Sequence, residues 1–359
     1  MKLTKRPLCL LFSILLVLIS CQSTKKVALA DDLSFKNRLQ PVTEDNIFKD
    51  KDYYNWGASI IKGKDNLYHL FYSRWKREYG FYAWLTHSEI AHAVSKNPDG
   101  PWQYKETVLK GRGGNGWDAI TAHNPKIKFF DGKYYLYYIG SHLGGKLYTN
   151  NDLIKAAKNR KNDANWRTLR PNMRTGVAIA TSLDGPWKRL NDPIVEPSGP
   201  ITTLTVNPAI DRGADGKYYL VVKGDKPDEK KFIRNQAIAI SKFPDGPFIM
   251  QPKPVIDYRD TEDMSIWFDN KRNRFYGIYH AHTFIGLIAS KNGIDWVPAN
   301  EEQIMQKSIP LKGNGFIKPD RMERPFIYLE EGKPKTLCLA VKKKDDSFMV
   351  FVPIRSKNK

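Results

Sequence analysis

The sequence predicts an all-β chain folded as a five-bladed propeller, and three observations carry that expectation. Five short polar segments each lead into an apolar, aromatic-rich strand: Trp56-Gly57-Ala58-Ser59, His123-Asn124-Pro125, Asn207-Pro208, Glu262-Asp263-Met264 and Glu323-Arg324-Pro325. Each is followed by a hairpin turn, as in Asp131-Gly132-Lys133 and Asp215-Gly216-Lys217. Three copies close alike, on Pro98-Asp99-Gly100-Pro101-Trp102, Leu183-Asp184-Gly185-Pro186-Trp187 and Pro244-Asp245-Gly246-Pro247-Phe248, and a fourth closes on Asn292-Gly293-Ile294-Asp295-Trp296. Strand, tight turn, strand and strand again is a meander, the unit of a propeller blade. The starts lie roughly 55–85 residues apart, wider than the usual ~40–50 because loops are inserted.

The 359 residues are ample for one large β domain. Residues 1–20 read as a lipoprotein signal peptide. Lys2, Lys5 and Arg6 form its basic start, and the apolar run 8–19 is short for a bilayer span. Leu18-Ile19-Ser20-Cys21 has the form of a bacterial lipobox, with lipidation at Cys21; an unlipidated secretory signal is the alternative. Gln22 and Ser23 follow, not Asp, which favours an outer-membrane lipoprotein facing the periplasm or the cell surface. Residues 21–50 read as a polar tether and 51–359 as the propeller.

Blade one is expected over 54–104 and blade two over 118–190, with an insertion at 147–174 holding a helix over 151–159 started by Asn150 or Asn151. Blades three, four and five are expected over 203–250, 262–297 and 320–354. Strands such as 134–139 and 218–222 are apolar on both faces, as strands sandwiched between blades must be. Trp102, Trp187 and Trp296 belong to the closing turns and read as wedges between blades.

The formal net charge is +20. On an exported chain such a charge points to acidic or sulfated polysaccharides rather than nucleic acid, or else merely solvates loops. Cys9 and Cys21 belong to the leader, so Cys338 is alone afterwards and reads as a core thiol. No phosphate loop, zinc spacing or Gly-x-Ser-x-Gly elbow is present.

In a propeller the inner strands all begin at one mouth of the central channel, so polar residues at their starts converge. Acids stand there: Asp118, Glu262, Asp263, Asp320 and Glu323. Two carboxylates across one pocket suit glycoside hydrolysis, one donating a proton to the leaving oxygen and the other activating water or attacking carbon. Asp118 reads as the base, Glu262 as the acid and Asp263 as a carboxylate that sets their pKa values. Arg321 or Arg324 is a candidate ion-pair partner of Glu262, and Glu323 with Arg324 a candidate structural pair. Candidate substrate contacts are Trp56, Arg74, His87, Trp117, His123, Asn124, Asn207, His280, Glu323 and Arg324. His87 and Glu89 share a third strand and read equally as a hydrogen-bonded pair. Trp75 and Trp84 join Trp56 and Trp117 as sugar-stacking platforms. No cofactor is required, although the acid density leaves room for a calcium ion in the channel.

This pattern, over about residues 52–355, resembles the five-bladed glycoside hydrolases that include families 43, 32 and 117, with family 43 nearest in texture. Family 43 implies inversion, with an Asp base in blade one, an Asp modulator in blade two and a Glu acid in blade three. Here blade one carries Tyr54-Asn55-Trp56-Gly57 without the Asp, and blade three offers Thr203, Thr205 and Asn207 without the Glu. Asp118 matches a second-blade acid, and Glu262-Asp263-Met264 is similar to a Glu-Asp-Pro found at strand starts in the superfamily. A histidine acid is known in family 117, which makes His280 or His282 a rival to Glu262. The resemblance implies an exo-acting hydrolase of oligo- or polysaccharides, with a non-catalytic glycan-binding propeller or a family 32-type fructan hydrolase as alternatives.

Overall fold

The computed structural model describes residues 29–229 and 233–356. The leader, including Cys21, lies outside them. A short strand β1 (Ile47–Phe48) precedes five antiparallel sheets. Blade one is β2 (Tyr53–Lys62), β3 (Tyr68–Lys76), β4 (Glu89–Ser95) and β5 (Gln103–Leu109). Blade two is β6 (Thr121–Phe130), β7 (Lys133–Ser141), β8 (Arg174–Ala180) and β9 (Lys188–Arg189). Blade three is β10 (Thr202–Arg212), β11 (Tyr218–Asp225), β12 (Arg234–Ser241) and β13 (Ile249–Pro254). Blade four is β14 (Glu262–Asp269), β15 (Arg274–Ala281), β16 (Phe284–Ser290) and β17 (Val297–Gln306). A small hairpin, β18 (Ile309–Pro310) and β19 (Phe316–Ile317), leads to blade five: β20 (Arg321–Glu330), β21 (Lys333–Lys343) and β22 (Asp346–Pro353).

Blade five takes its fourth strand from the other end of the chain. β1 pairs with β22 through Ile47–Val350 and Phe48–Met349. Leu33, Phe35 and Val42 are buried in the core shared by blades four and five. The tether expected over 21–50 is therefore corrected from residue 29 onward: these residues are apolar where the blade edge is apolar, and they close the ring.

Turn chemistry sets the registers. Asp131 (φ 49°) and Gly132 (φ 83°) form a two-residue connection between β6 and β7, and Glu331 (φ 50°) and Gly332 (φ 71°) do the same between β20 and β21. Two successive left-handed residues match the twist of the flanking strands. The closing turns wedge as expected: Trp102 packs on Phe351 of blade five and Trp187 on Phe71 of blade one, and Trp296, beside Phe275 of its own blade, packs against a core shared with blade three. Cys338 is a buried core thiol.

The insertion after β7 holds three helical pieces near the channel mouth, among them α2 (Asn150–Asn159) and α3 (Ala164–Leu169), which follow the single turn α1 (Trp84–His87) of blade one. The cap of α2 is Thr149, one residue before the expected Asn150. Its hydroxyl accepts from the Asp152 amide at 3.2 Å while the Asp152 carboxylate accepts from the Thr149 amide at 2.8 Å. Leu153, Ala156 and Ala157 turn the helix onto the propeller.

Candidate functional site

Every inner strand is interrupted near its start by a bulge, with a register shift between Trp56 and Ala58, His123 and Lys126, Val206 and Ala209, Glu262 and Ser265, and Glu323 and Phe326. At each bulge one residue takes left-handed backbone: Gly57 (60°), Asn124 (50°), Asn207 (57°), Asp263 (60°) and Arg324 (55°). Gly, Asn and Asp adopt this conformation at low cost; an arginine there is strained, and such strain gathers at functional sites.

These five residues meet in a closed ring. Asn124 Nδ2 donates to Asn207 Oδ1 at 2.8 Å, and Asn207 Nδ2 donates to Asp263 Oδ1. The Arg324 amide donates to Asp263 Oδ2 at 3.3 Å, and its guanidinium lies 3.6 Å from Oδ1. Gly57 completes the circle, because a Cβ there would stand 3.1 Å from Asn124 Oδ1 and 3.5 Å from Arg324 Nε. Below the ring Lys126 reaches from blade two to blade four, its Nζ donating to Ser265 Oγ at 3.0 Å over the Phe326 ring. The channel is thus plugged rather than open.

Above the ring lies a cavity of about 370 Å³. The residue preceding each ring member lines it: Trp56, His123, Val206, Glu262 and Glu323. The α1 side and the insertion raise its walls with Phe81, Tyr82, Trp84, Arg160, Trp166 and Arg170. Trp84 stacks on His123 at 5.4 Å, and the Arg160 guanidinium lies 3.7 Å from the Tyr82 ring centroid.

Electrostatics separate the two glutamates. Burial would raise the Glu262 carboxyl, but Lys223 and Arg234 (2.7 Å) grip it and hold it down at about 2. Glu323 is pushed the other way. Burial raises it, the Arg321 guanidinium at 2.6 Å opposes, and the carboxylates of Asp263 and Glu262 add to the rise, leaving it at about 7. His123 is held neutral, at about 3, by burial and by Arg324 and Lys223, while its Nδ1 meets Ser88 Oγ at 2.7 Å.

The cavity gathers ten expected residues: Trp56, Trp75, Trp84, His123, Asn124, Asn207, Glu262, Asp263, Glu323 and Arg324. Five others lie elsewhere. Asp118 is fully buried outside the cavity, ion-paired to Arg112 (3.0 Å) and Arg189 (3.1 Å) and accepting from the Tyr138 hydroxyl at 2.6 Å. It precedes β6 by three residues and turns into the blade, where its Cα and Cβ press on Gly140. Trp117 packs over Gly140 and Gly176 and lies tilted against the Tyr138 ring, so it is core and not a platform. Arg74 is tied to Glu89 (2.8 Å), Tyr104 and Thr107 on the outer strands. His87 ends α1 instead of lying on the third strand; it contacts Thr86 and Asn150, and Glu89 bonds to Arg74 and not to it. His280 stands opposite Glu262 in the register but does not line the cavity. The expected ion pairs are also redistributed: Glu262 takes Lys223 and Arg234, Asp263 takes Arg324, and Glu323 takes Arg321.

No family model matches this chain, and no curated protein matches it in sequence. Solved structures do match in shape. A family 117 glycoside hydrolase of the marine bacterium Zobellia galactanivorans is 18% identical over 88% of each chain, with a TM-score of 0.58. A family 43 β-xylosidase/α-arabinofuranosidase from a compost metagenome, in complex with xylotriose, is 15% identical over 89% of this chain and 94% of its own, TM-score 0.55. An endo-arabinase of Bacteroides thetaiotaomicron is 13% identical over 85% and 95%, TM-score 0.54. This chain shares the five-bladed β-propeller fold of these glycoside hydrolases.

Proposed function

We propose that the chain is an exo-acting glycoside hydrolase in which Glu323 is the proton donor. One observation carries the reading: Glu323 lines the cavity with its proton retained to about pH 7, beside an ionised Glu262. In this scheme Glu323 passes its proton to the glycosidic oxygen as the bond from that oxygen to C1 breaks. Glu262 stabilises the positive charge growing at C1 and takes the proton of the attacking water. Asp263, held by Asn207 and Arg324, is a positioning carboxylate. The ring beneath the cavity makes it a dead end, which suits removal of a terminal sugar.

The aromatic wall supplies faces for a sugar ring. Arg160 and Lys161 line the cavity and have no carboxylate partner among the described residues, which favours a sulfated or uronate-bearing oligosaccharide. Lipidation at Cys21 and an outer-membrane location remain part of the proposal. A second reading, a non-catalytic glycan-binding propeller, is favoured by the lack of an Asp at the start of the blade-one inner strand, Tyr54-Asn55-Trp56-Gly57. Assay on charged and neutral oligosaccharides decides. Turnover lost in Glu323→Gln with binding retained supports hydrolysis, and binding without turnover in the unaltered chain supports the second reading.

A further inference from the structure

A second cluster of chemistry-bearing side chains lies far from the cavity, on the seam between the outer part of blade one and the closing turn of blade two. His92 on β4 is fully buried. Its Nε2 lies 2.8 Å from His69 Nδ1, and His69 Nε2 lies 3.1 and 3.2 Å from the two oxygens of Asp65. With both rings neutral, the order of protons along this row is fixed. Asp65 can only accept, so His69 donates from Nε2 and keeps a lone pair on Nδ1. His92 must then donate from Nε2, which leaves a lone pair on its own Nδ1.

That lone pair is aimed at Glu106 Oε1, 3.5 Å away. An acceptor thus faces an acceptor, and a carboxylate oxygen of Asp184 joins them, the three ligand atoms lying within 4.8 Å of one another. Lys105 meets Asp184 at Oδ1 from the rim. Metal-binding imidazoles characteristically donate their second N–H to a fixed partner, as the row from His92 to Asp65 does here.

We infer that His92 Nδ1, Glu106 and Asp184 bind a divalent transition-metal ion, Zn²⁺ by the character of the donor set, which clasps blade two to blade one. One imidazole and two carboxylates suit a four-coordinate ion that keeps a water in its open position. The ion would also stabilise the fold, because the three ligands come together only in the folded chain.

The test is calorimetric titration of the whole protein with ZnCl₂, alongside thermal unfolding with and without the ion. Expected are one Zn²⁺ per chain, a higher melting temperature, and at least tenfold weaker binding in Glu106→Gln and in Asp184→Asn. Both substitutions are at partly or fully exposed positions and keep side-chain volume. In the unaltered protein, the ¹⁵N resonance of His92 Nδ1 should move on Zn²⁺ addition, a readout that needs no variant. Absence of binding, or stoichiometric binding that neither substitution weakens and that leaves the His92 resonance in place, overturns the proposal.

Discussion

The five inner strands begin alike and then differ at one position, the residue before each ring member. Blades one, two and three place Trp56, His123 and Val206 there, while blades four and five place Glu262 and Glu323. One arc of the cavity is therefore aromatic or neutral and the other carries the acids. The backbone is the same in both arcs, bulge and left-handed residue included. The fold supplies five equivalent places, and the side chains divide them into an aromatic or neutral arc and an acidic one, which the proposed hydrolysis would use for holding a sugar and for acting on it.

The largest expected effect falls on the acidic arc. Glu323→Gln should lower kcat/KM by about 10²–10⁴, the usual contribution of a general acid, with little change in substrate binding. Asp118→Asn gives the contrasting outcome. It leaves two arginines facing an uncharged side chain in a buried site, so stability should fall by about 3–5 kcal/mol while turnover of the folded fraction persists. Chemical denaturation and specific activity, measured together, check both; loss of turnover in a well-folded Asp118→Asn would return that residue to the mechanism.

The pH dependence sharpens the contrast within the acidic arc. Glu323 must be protonated to act, so kcat/KM should fall as pH rises through about 7. Its folded pKa lies above the unfolded value of 4.5, so the folded state holds the extra proton between these values and stability declines as pH rises across that window. Glu262 has the opposite sign. Its folded pKa of about 2 lies below 4.5, so the stability it contributes is present above 4.5 and is lost as pH falls toward 2. Unfolding free energies measured from pH 3 to 8 in the unaltered chain and in Glu323→Gln should differ mainly in the upper window.

On the aromatic arc the effect is smaller. Trp56→Ala should raise KM by roughly tenfold, ~1.4 kcal/mol, with kcat nearly unchanged, which steady-state kinetics would show. A fall in kcat alone would place Trp56 among the groups that act on the transition state.

The ring was legible in the sequence because its members sit in recognisable punctuation: Asn124 and Asn207 before prolines, Asp263 before Met264, and Arg324 before Pro325. Their neighbours Trp56, His123, Glu262 and Glu323 follow by adjacency. Asp118 misled because nearness to a strand start along the chain does not say which way the loop folds, and Arg112, Arg189 and Tyr138 turn it into the blade. The charged partners of Glu262 were hidden for a related reason. Lys223 and Arg234 reach Glu262 from the second and third strands of blade three, through a register that composition cannot supply. Arg160, Trp166 and Arg170 were hidden in an insertion whose helix was visible but whose docking face was not.

The pairing of β1 with β22 joins residues 47 and 350, separated by nearly the whole chain. While the polypeptide is still emerging from the ribosome, its earliest folded strand has no partner, and four sheets must wait with one flank bare. Ring closure therefore needs both ends of the propeller, and loss of Ile47 and Phe48 or of β22 would leave the same gap.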